Sequence, residues 1–278
     1  MGAIIDGKKV SEDIKSDIRV FVNGRKESGK SVPKIASILV GEDGGSIYYQ
    51  NFQEKIALDL GIEFEKVRFS NDIKQSELEE TINKLNKSEE VDGIMLLLPL
   101  PLHIDEAYIT GLISTEKDID CLSESTVGQF YKGEDSYKPC TPYSVITLLK
   151  SYNIKLESAN VVIIGRSNIV GKPLAQMFLN ENATVTICHS KTKDIKEITK
   201  RADIVVVAIG RPKFVDSSYI SKNTVVIDVG TTKFEGKITG DVDFEDVKDI
   251  ASYITPVPGG VGALTTTLLF KNLCEGMR

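Results

Sequence analysis

The sequence predicts a two-lobed α/β protein with a cleft between the lobes, of which the second is a smaller doubly wound sheet. Three observations lead to this prediction. Helical and strand-like patterns alternate along the chain, which is typical of parallel sheets. The 278 residues exceed the length of a typical single domain. Residues 160–190 give a buried strand, a glycine-bounded turn, an amphipathic helix and a second apolar strand in succession, which is the order of a nucleotide-binding unit.

The first lobe is predicted as a run of alternating helices and strands. Alternation of this kind implies strands that pair in parallel. In chain order we predict helix 10–28, strand 34–40, helix 46–60, strand 62–69, helix 73–87 and strand 91–98.

The boundary between the lobes is placed in residues 115–142, which carry few long apolar runs and many polar and glycine positions. The last two strands of the second lobe end at Gly210 and Gly230, and ligands of such sheets bind at the carboxyl ends of the strands. The predicted elements of this lobe are helix 142–152, strand 161–164, helix 169–179 and strands 184–188, 203–209 and 224–229. A final helix, 264–275, follows the glycine-rich turn 256–262, and we expect it to pack back on the first lobe.

The turn after strand 161–164 is the candidate phosphate site. A helix that begins directly after a strand offers backbone N–H groups without helical partners, and these can hold a phosphate. Glycines there let a ligand approach the backbone. The spacing Gly165, Ser167, Gly171 departs from the usual GxGxxG pattern, so a strand-turn-helix connection without a ligand stays open as an alternative.

The end of strand 184–188 bears on the choice of dinucleotide. An NAD-specific unit places an acidic residue there for the ribose hydroxyls, whereas this chain has His189, Ser190 and Lys191. Together with Arg166 in the turn, Ser190 and Lys191 suit an extra phosphate on the ribose, which favours NADP. The alternative is that Arg166 and Lys191 are solvated surface charges.

Composition excludes several classes of function. A net charge of −6 disfavours a nucleic-acid partner, although a local patch can still bind a small anion. The four cysteines and two histidines show no paired spacing, so we expect neither a metal site nor a disulfide framework. The longest apolar run, 94–102, is interrupted by Pro99 and Pro101, so we expect no membrane span. Residues 1–10 lack a signal-peptide pattern, which makes the cytoplasm the expected location.

Motifs along essentially the whole chain match one family. The first lobe carries DGIMLLLPLP, KDID, VGQFYKG and PCTP, and the second carries GRSNIVGKP, ATVTICHS, ADIVVVAIGRP, VVIDVG, GDVDF and TPVPGGVG. The chain resembles the bacterial methylenetetrahydrofolate dehydrogenase/cyclohydrolase family. The resemblance implies a folate-binding domain over 1–140 that is completed by the C-terminal helix 263–278, a Rossmann-type NADP-binding domain over 141–262, and a homodimer formed through the latter.

The activity that the resemblance implies has two steps. A hydride passes from the one-carbon bridge of methylenetetrahydrofolate to the nicotinamide of NADP, and water then adds to the methenyl cation to give formyltetrahydrofolate. Tyr49 matches the tyrosine that stacks on the folate, and Asp120 matches the carboxylate that holds the pterin. An aromatic face suits a flat heterocycle, and a carboxylate can accept two N–H donors. Considered without the resemblance, Tyr49 could be a core residue and Asp120 a solvated loop charge.

Further site residues are implied by the same match. Those near the substrate are Leu98, Pro99, Pro258, Gly259 and Gly260. Those around the cofactor are Gly165, Arg166, Ser167, Ile169, Ser190, Gly210 and Thr231. For residues 258–260 an ordinary tight turn is the alternative.

The chain departs from the family pattern at two catalytic positions. Gln53 stands where the family has a lysine, four residues after Tyr49, and Leu97 stands where it has the glutamine that partners this lysine. Lys55 cannot replace the lysine, because two residues turn a helix by about 200°. Hydride transfer needs chiefly alignment of two rings, whereas hydration needs a titratable group.

We therefore predict an NADP-dependent dehydrogenase whose cyclohydrolase activity is weak or lost. The alternatives are a full bifunctional enzyme and a non-catalytic folate-binding or nucleotide-binding homologue. A dehydrogenase for some unrelated small acid is a further alternative, against which Tyr49 and Asp120 argue.

Overall fold

The structure is a computed structural model that describes residues 2–277. It divides into two compact units, each formed by two separated segments of the chain. The three-stranded unit comprises Asp13–Lys138 together with the residues from Thr267 on. The six-stranded unit comprises Pro139–Thr266 together with the residues up to Glu12. The predicted α/β class with two lobes is confirmed.

The strands and helices alternate along most of the chain. The strands are β1 Ala3–Ile4, β2 Lys34–Val40, β3 Glu63–Phe69, β4 Gly93–Leu96, β5 Asn160–Ile164, β6 Thr184–Cys188, β7 Ile204–Val207, β8 Val225–Asp228, β9 Thr232–Phe234, β10 Lys237–Thr239 and β11 Tyr253–Ile254. The helices are α1 Gly7–Glu27, α2 Gly44–Leu60, α3 Gln75–Lys87, α4 Glu106–Gly111, α5 Glu124–Lys132, α6 Cys140–Ser151, α7 Gly171–Asn180, α8 Ile195–Thr199, α9 Phe244–Val247 and α10 Thr265–Gly276.

The three-stranded unit is a parallel sheet in the order β3-β2-β4. The central strand β2 is buried from its second residue to its last, as a strand covered on both faces should be, and its sequence is accordingly almost continuously apolar. Its Ile38 packs in one core with Ile94 of β4 and with the apolar face of α3, which contributes Leu78, Ile82 and Leu85. This core fixes the strand ends from which several site residues project.

The C-terminal helix α10 belongs to the three-stranded unit from Thr267 on. The buried amide of Asn272 donates to the carbonyls of Ile119 and Lys138 at 2.9 and 2.8 Å. A Cβ on Gly93 would lie 2.8 Å from the side chains of Leu273 and Ile119, so a glycine in β4 lets the helix pack closely. The helix packs on the first lobe, as expected.

The six-stranded unit is built on one sheet in the order β1-β11-β8-β7-β5-β6, with parallel pairing throughout. The expectation that this lobe has the smaller sheet was wrong. Two strands of only two residues, β1 and β11, extend the sheet, and strands this short carry no periodic signal. Residues 3–4 belong to the segment 1–140 that was assigned to the first lobe, but they form β1, which pairs with β11 in the six-stranded sheet.

Several short elements lie where the sequence patterns indicated only loops. α5 lies inside the segment interpreted as a boundary. Its N-cap is Ser123, whose hydroxyl accepts the N–H of Thr126, and its C-cap is Gly133 in the left-handed conformation. β9 and β10 form a hairpin whose turn residues Glu235 and Gly236 both have positive φ. Capping residues and a turn glycine were therefore the available signals for these elements.

Candidate active site

Helix α2 places the first two predicted catalytic residues. Asp43 accepts the N–H of Ser46 at 2.8 Å at its start, and Gly61 ends it in the left-handed conformation. Tyr49 is half-buried and Gln53, one turn later on the same face, is fully buried at 0% exposure. Lys55 is exposed. Lys55 therefore lies on a different face of α2 from Gln53, as the sequence predicts, and the structure adds that the amide of Gln53 lies inside the unit.

Leu97 and its neighbours follow the last residue of β4. The N–H of Leu97 donates to the carbonyl of Ile38 in β2 at 3.0 Å, and its side chain is 5% exposed. Leu98 packs against the apolar core, whereas Pro99, joined to it by a cis peptide bond, is exposed. Of these three predicted residues, Pro99 therefore presents the most surface to a ligand.

The two aspartates of the KDID segment have different surroundings. Asp118 is fully buried and accepts the N–H groups of Leu122 and Ser123 at 2.9 and 2.8 Å. Asp120 is only half-buried. The carboxylate of Asp118 thus holds the loop that carries Asp120, and Asp120 is the less buried residue of the pair.

The turn after β5 contains the predicted phosphate-binding residues. Gly165 has φ 132°, and a Cβ there would lie 2.2 Å from the carbonyl oxygen of Ala208. A Cβ on Gly171 would lie 2.2 Å from the carbonyl oxygen of Gly165. Both glycines are therefore required by packing within the chain, a role that the sequence pattern alone did not indicate.

The start of α7 also differs from expectation. The helix begins at Gly171, and Ile169 lies before it in the turn with 68% of its surface exposed. The hydroxyl of Ser167 accepts the N–H groups of Val170 and Gly171 at 3.1 and 3.4 Å. Some N–H groups expected to be available for a phosphate are thus used internally, while Arg166 and Ser167 are themselves exposed.

The remaining predicted cofactor residues follow neighbouring parallel strands. Ser190, Gly210 and Thr231 come after β6, β7 and β8 respectively, and all three are exposed. Because β8, β7, β5 and β6 are adjacent and parallel, these residues lie along one edge of the sheet with the Gly165 turn. Gly210 has φ 64°, and the nearest atom to a Cβ there would be 4.0 Å away. An open glycine flanked by exposed hydroxyls fits a dinucleotide.

Two buried aspartates near the ends of these strands, Asp228 and Asp241, were not predicted as site residues from the sequence. Asp241 accepts the N–H groups of Ile209, Gly210 and Arg211 at 2.7, 2.9 and 2.6 Å. Asp228 in turn accepts the N–H of Asp241 at 3.0 Å. The motifs VVIDVG and GDVDF marked this pair only through the family resemblance, because nothing in the residue pattern indicates that a carboxylate accepts backbone donors. Together they hold the loop that carries Gly210.

The turn Pro258–Gly260 lies a few residues beyond β11, which pairs with β8. Gly259 has φ 112°, and the nearest atoms to a Cβ there are 3.8 Å away. Gly260 is buried, and a Cβ on it would lie 2.6 Å from the carbonyl oxygen of Pro256. Gly260 is thus required by internal packing, whereas Gly259 leaves space beside the backbone for a ligand.

Two family models match the chain over most of its length. Residues 5–120 match the catalytic domain of tetrahydrofolate dehydrogenase/cyclohydrolase. Residues 139–278 match the NAD(P)-binding domain of the same family. The chain belongs to the tetrahydrofolate dehydrogenase/cyclohydrolase family.

Relatives and solved structures of the tetrahydrofolate dehydrogenase/cyclohydrolase family agree with this membership. A Clostridium perfringens (strain SM101 / Type A) protein named "Bifunctional protein FolD" is 65% identical over 275 residues, 99% of each chain. The FolD methylenetetrahydrofolate dehydrogenase/cyclohydrolase of Campylobacter jejuni superposes with a TM-score of 0.96 at 41% identity, covering 99% of this chain and 98% of that one. The Trypanosoma brucei enzyme, solved with NADP and an inhibitor, gives 0.92 at 36%, covering 99% and 97%.

Two features are absent from the part of the chain that the structure describes. Across residues 2–277 no group of three or more histidine, cysteine, aspartate or glutamate side chains is arranged to hold a metal ion. Within the same residues no helix is long and apolar enough to cross a membrane.

Asp228 gives this family member a pH-dependent stability. Burial raises the pKa of its carboxyl group to about 7, against the lowering effect of the N–H bonds from Val242 and Asp241. A carboxyl group whose pKa is higher in the folded than in the unfolded chain stabilises the fold in acid, and this contribution is lost as the pH rises. We expect it to decline between about pH 4 and pH 7 and then to level off.

Urea unfolding checks this prediction when it is measured from about pH 4.5 to about pH 8, because most of the expected decline falls in this range. The variant Asp228→Asn is the control, because it removes the titrating group and should flatten that part of the profile. If the free energy of unfolding of the wild type rose with pH through this range more than that of the variant, the raised pKa of Asp228 would be contradicted.

Proposed function

We propose that this chain is an NADP-dependent methylenetetrahydrofolate dehydrogenase whose methenyltetrahydrofolate cyclohydrolase activity is weak or lost. Family membership through both matched domains supports the dehydrogenase activity. One observation carries the loss of the second activity. Gln53 and Leu97 occupy the positions in which the resemblance expects lysine and glutamine, and their side chains are 0% and 5% exposed. Neither side chain titrates.

The folate is assigned to the three-stranded unit. In this proposal the ring of Tyr49 stacks on the pterin, and the carboxylate of Asp120 accepts two N–H donors from its aminopyrimidine edge. Leu98 and Pro99 supply apolar contacts. Pro258, Gly259 and Gly260 are the other residues proposed to bind the substrate. The half-buried positions of Tyr49 and Asp120 support these roles.

The preference for NADP is supported by the residues at the ends of β5 and β6. Arg166, Ser190 and Lys191 are exposed, and none is acidic. A guanidinium, a hydroxyl and an ammonium group can bind a phosphate on the ribose, whereas an NAD-specific site would offer a carboxylate. The Trypanosoma brucei relative was solved with NADP, which supports the same choice.

Oxidation of the one-carbon bridge makes little demand on acid-base chemistry. The bound nicotinamide supplies the hydride acceptor. A C–H bond of the methylene carbon breaks with both electrons leaving as hydride, and the lone pairs of the two flanking nitrogens delocalise the resulting cation. No proton is transferred in this step, so residues that orient the folate and exclude water are sufficient.

Hydration of the methenyl cation has different requirements. A water oxygen bonds to the cationic carbon and loses both of its protons, one to solvent and one to the ring nitrogen, whose bond to that carbon breaks as the formyl C=O forms. General acid-base groups typically accelerate such transfers by about 10²–10⁴. An amide at position 53 and an alkyl group at position 97 supply neither acid nor base, which is why we propose that this step is weak or lost.

The full bifunctional enzyme is the second candidate. The Clostridium perfringens relative that is 65% identical is named a bifunctional protein, and the matched family is named for both activities. These names favour the alternative, whereas the residues Gln53 and Leu97 favour a dehydrogenase alone.

One assay of the purified chain separates the candidates. We expect reduced cofactor to form from methylenetetrahydrofolate faster with NADP than with NAD, and added methenyltetrahydrofolate to decay no faster than in buffer. Conversion of the methenyl form well above the buffer rate would establish the bifunctional candidate instead. Tight binding of both ligands without reduced cofactor would indicate a non-catalytic homologue.

Restoring the lysine alone should not restore cyclohydrolase activity. A lysine at position 53 would be buried without the polar partner that Leu97 replaces, and burial disfavours its charged form. We expect Gln53→Lys to hydrate methenyltetrahydrofolate at least about tenfold more slowly than the double variant Gln53→Lys, Leu97→Gln, in view of the size of acid-base effects. Circular dichroism and NADP affinity of both preparations control for folding. Equal rates in the two variants would contradict the role assigned to Leu97.

Homodimer formation through the six-stranded unit and a cytoplasmic location are part of the proposal. β6 is the edge strand of the sheet, and its Ile187 is 36% exposed. An edge strand with exposed apolar residues is suited to pairing with a second copy. Sedimentation of the purified chain at several concentrations tests the dimer.

A further inference from the structure

The amide of Gln53 has a donor that is not used. Gln53 is 0% exposed, and among the described residues 2–277 its Nε2 has no hydrogen-bond partner. Buried polar groups in folded proteins are nearly always paired with protein, water or ligand, and an exception calls for a physical explanation. This donor lies one helical turn from Tyr49, on the same face of α2.

A chain of hydrogen bonds leads from the surface to this amide. The guanidinium Nε of Arg68 donates to Gln50 Oε1 at 2.8 Å. Gln50 Nε2 donates to the backbone oxygen and the hydroxyl of Ser37 at 2.8 and 3.3 Å. Ser37 Oγ donates to Gln53 Oε1 at 3.4 Å. Gln50, Ser37 and Gln53 are each 0% exposed, and all four residues belong to the three-stranded unit. We call them the Arg68 relay.

The direction of the first two steps of the Arg68 relay, from Arg68 to Gln50 and from Gln50 to Ser37, follows from its first member. A guanidinium can only donate, so the oxygen of the Gln50 amide must face Arg68 and its NH₂ group must face Ser37. The Ser37 hydroxyl then accepts from Gln50, and its single hydrogen is directed to Gln53. The oxygen of Gln53 accepts that hydrogen. In this orientation of the Gln53 amide, the NH₂ group is the donor that has no hydrogen-bond partner among the described residues.

We infer that Gln53 is a substrate-binding residue that donates from Nε2 to a neutral acceptor atom of the folate, and that Arg68, Gln50 and Ser37 are positioning residues that set this polarity. The acceptor is of the carbonyl-oxygen or amine-nitrogen class, because an amide donor carries no charge to pair with an anion. The inference rests on the proposed function, which places the folate beside Tyr49. A hydrogen bond formed in a site closed to water is stronger than one that competes with solvent.

The inference explains why an amide at position 53 is compatible with dehydrogenase activity. The donor contributes to holding the folate in its reactive orientation, while the amide cannot transfer the protons that hydration needs. Because the amide does not titrate, its contribution to folate binding is the same at every pH at which the chain is folded.

The test compares variants at both ends of the Arg68 relay by steady-state kinetics with methylenetetrahydrofolate and NADP. We expect Gln53→Met and Arg68→Met each to raise the KM for methylenetetrahydrofolate about tenfold, the size expected for one buried hydrogen bond. The KM for NADP should stay unchanged. Arg68→Lys keeps a donor beside Gln50 and should retain most of the wild-type KM for the folate.

Lys66→Met is the matched control. Lys66 lies two residues before Arg68 on β3, and its ammonium group bonds to Asn51 and Glu54 rather than to Gln50. The control therefore removes a cation from the same strand and leaves the Arg68 relay intact, so we expect the wild-type KM.

Each outcome decides the inference. An unchanged folate KM in Arg68→Met or Gln53→Met, an equal loss in Lys66→Met, or no recovery in Arg68→Lys would overturn it. Arg68→Met alters an exposed side chain and keeps the test available if Gln53→Met does not fold. A crystal structure with bound folate in which only water contacts Gln53 Nε2 would also overturn it. Failure of the proposed function would instead appear as absent turnover, or as cyclohydrolase activity, in the wild-type chain.

Discussion

Replacing Asp241 by asparagine should lower the free energy of unfolding by about 1.5–3 kcal/mol, because a charged acceptor is lost and a buried donor is left unpaired. Asp241 Oδ2 accepts from Ile209 and Gly210, and Oδ1 accepts from Arg211. An asparagine turns one of these oxygens into an NH₂ group, which then faces a backbone N–H. The same change releases the loop at Gly210, so we also expect a higher KM for NADP. Urea unfolding and initial rates measure the two effects.

Asp243→Asn is the control for this substitution. Asp243 lies two residues further along, and its Oδ2 forms a 3.8 Å ion pair with Nζ of the exposed Lys213. Such a pair contributes about 0–1 kcal/mol, so the control should stay close to wild type in stability and in the KM for NADP. Equal effects of the two substitutions would show that charge, rather than the anchored backbone, matters here.

Gly165→Ala should have a still larger effect on stability, about 3 kcal/mol or more, because strained backbone and overpacking each cost about 1–3 kcal/mol. The residue has φ 132°, and its Cβ would lie 2.2 Å from a backbone oxygen that cannot move independently. We expect β5 and β7 to be forced apart and NADP affinity to fall with them. Thermal unfolding with and without NADP measures both consequences.

Gly24→Ala provides the opposite result in the same chain. Gly24 lies inside α1, and a Cβ there would find no atom within 4 Å. An alanine in the interior of a helix is favoured over glycine by about 0.5–1 kcal/mol, so this variant should be more stable than wild type. If both alanine variants lost stability alike, the contact with Ala208 would not be the cause.

The longer elements could be predicted from the sequence because burial imposes a period on them. The bounds of β2 and β6 agree with the predicted ones, since each is a run of mostly apolar or β-branched residues between turns. The two-residue strands β1 and β11 could not be found in this way. Their place in the sheet depends on pairing between segments far apart in the chain, and the local pattern of apolar and polar residues does not indicate such pairing.

The candidate site shows the same limit. Helical geometry alone places Gln53 and Lys55 on different faces of α2, whereas the burial of the Gln53 face comes from the fold. The requirement for glycine at position 165 depends on Ala208 in another strand, and the unpaired donor of Gln53 depends on side chains from three elements. These features arise only when the chain is folded, so a linear pattern can indicate the residues but not what they contact.

The pairing of β1 with β11, and the inclusion of α10 in the three-stranded unit, mean that each unit takes a segment from the opposite terminus of the polypeptide. A gene cut at the junction near Pro139 would therefore yield two fragments, each lacking a piece carried by the other. During synthesis on the ribosome, the pairing of β1 with β11 cannot form until the segment that contains β11 has emerged. We expect the two units to be kept together in evolution within one gene, because neither unit is encoded by a single continuous segment.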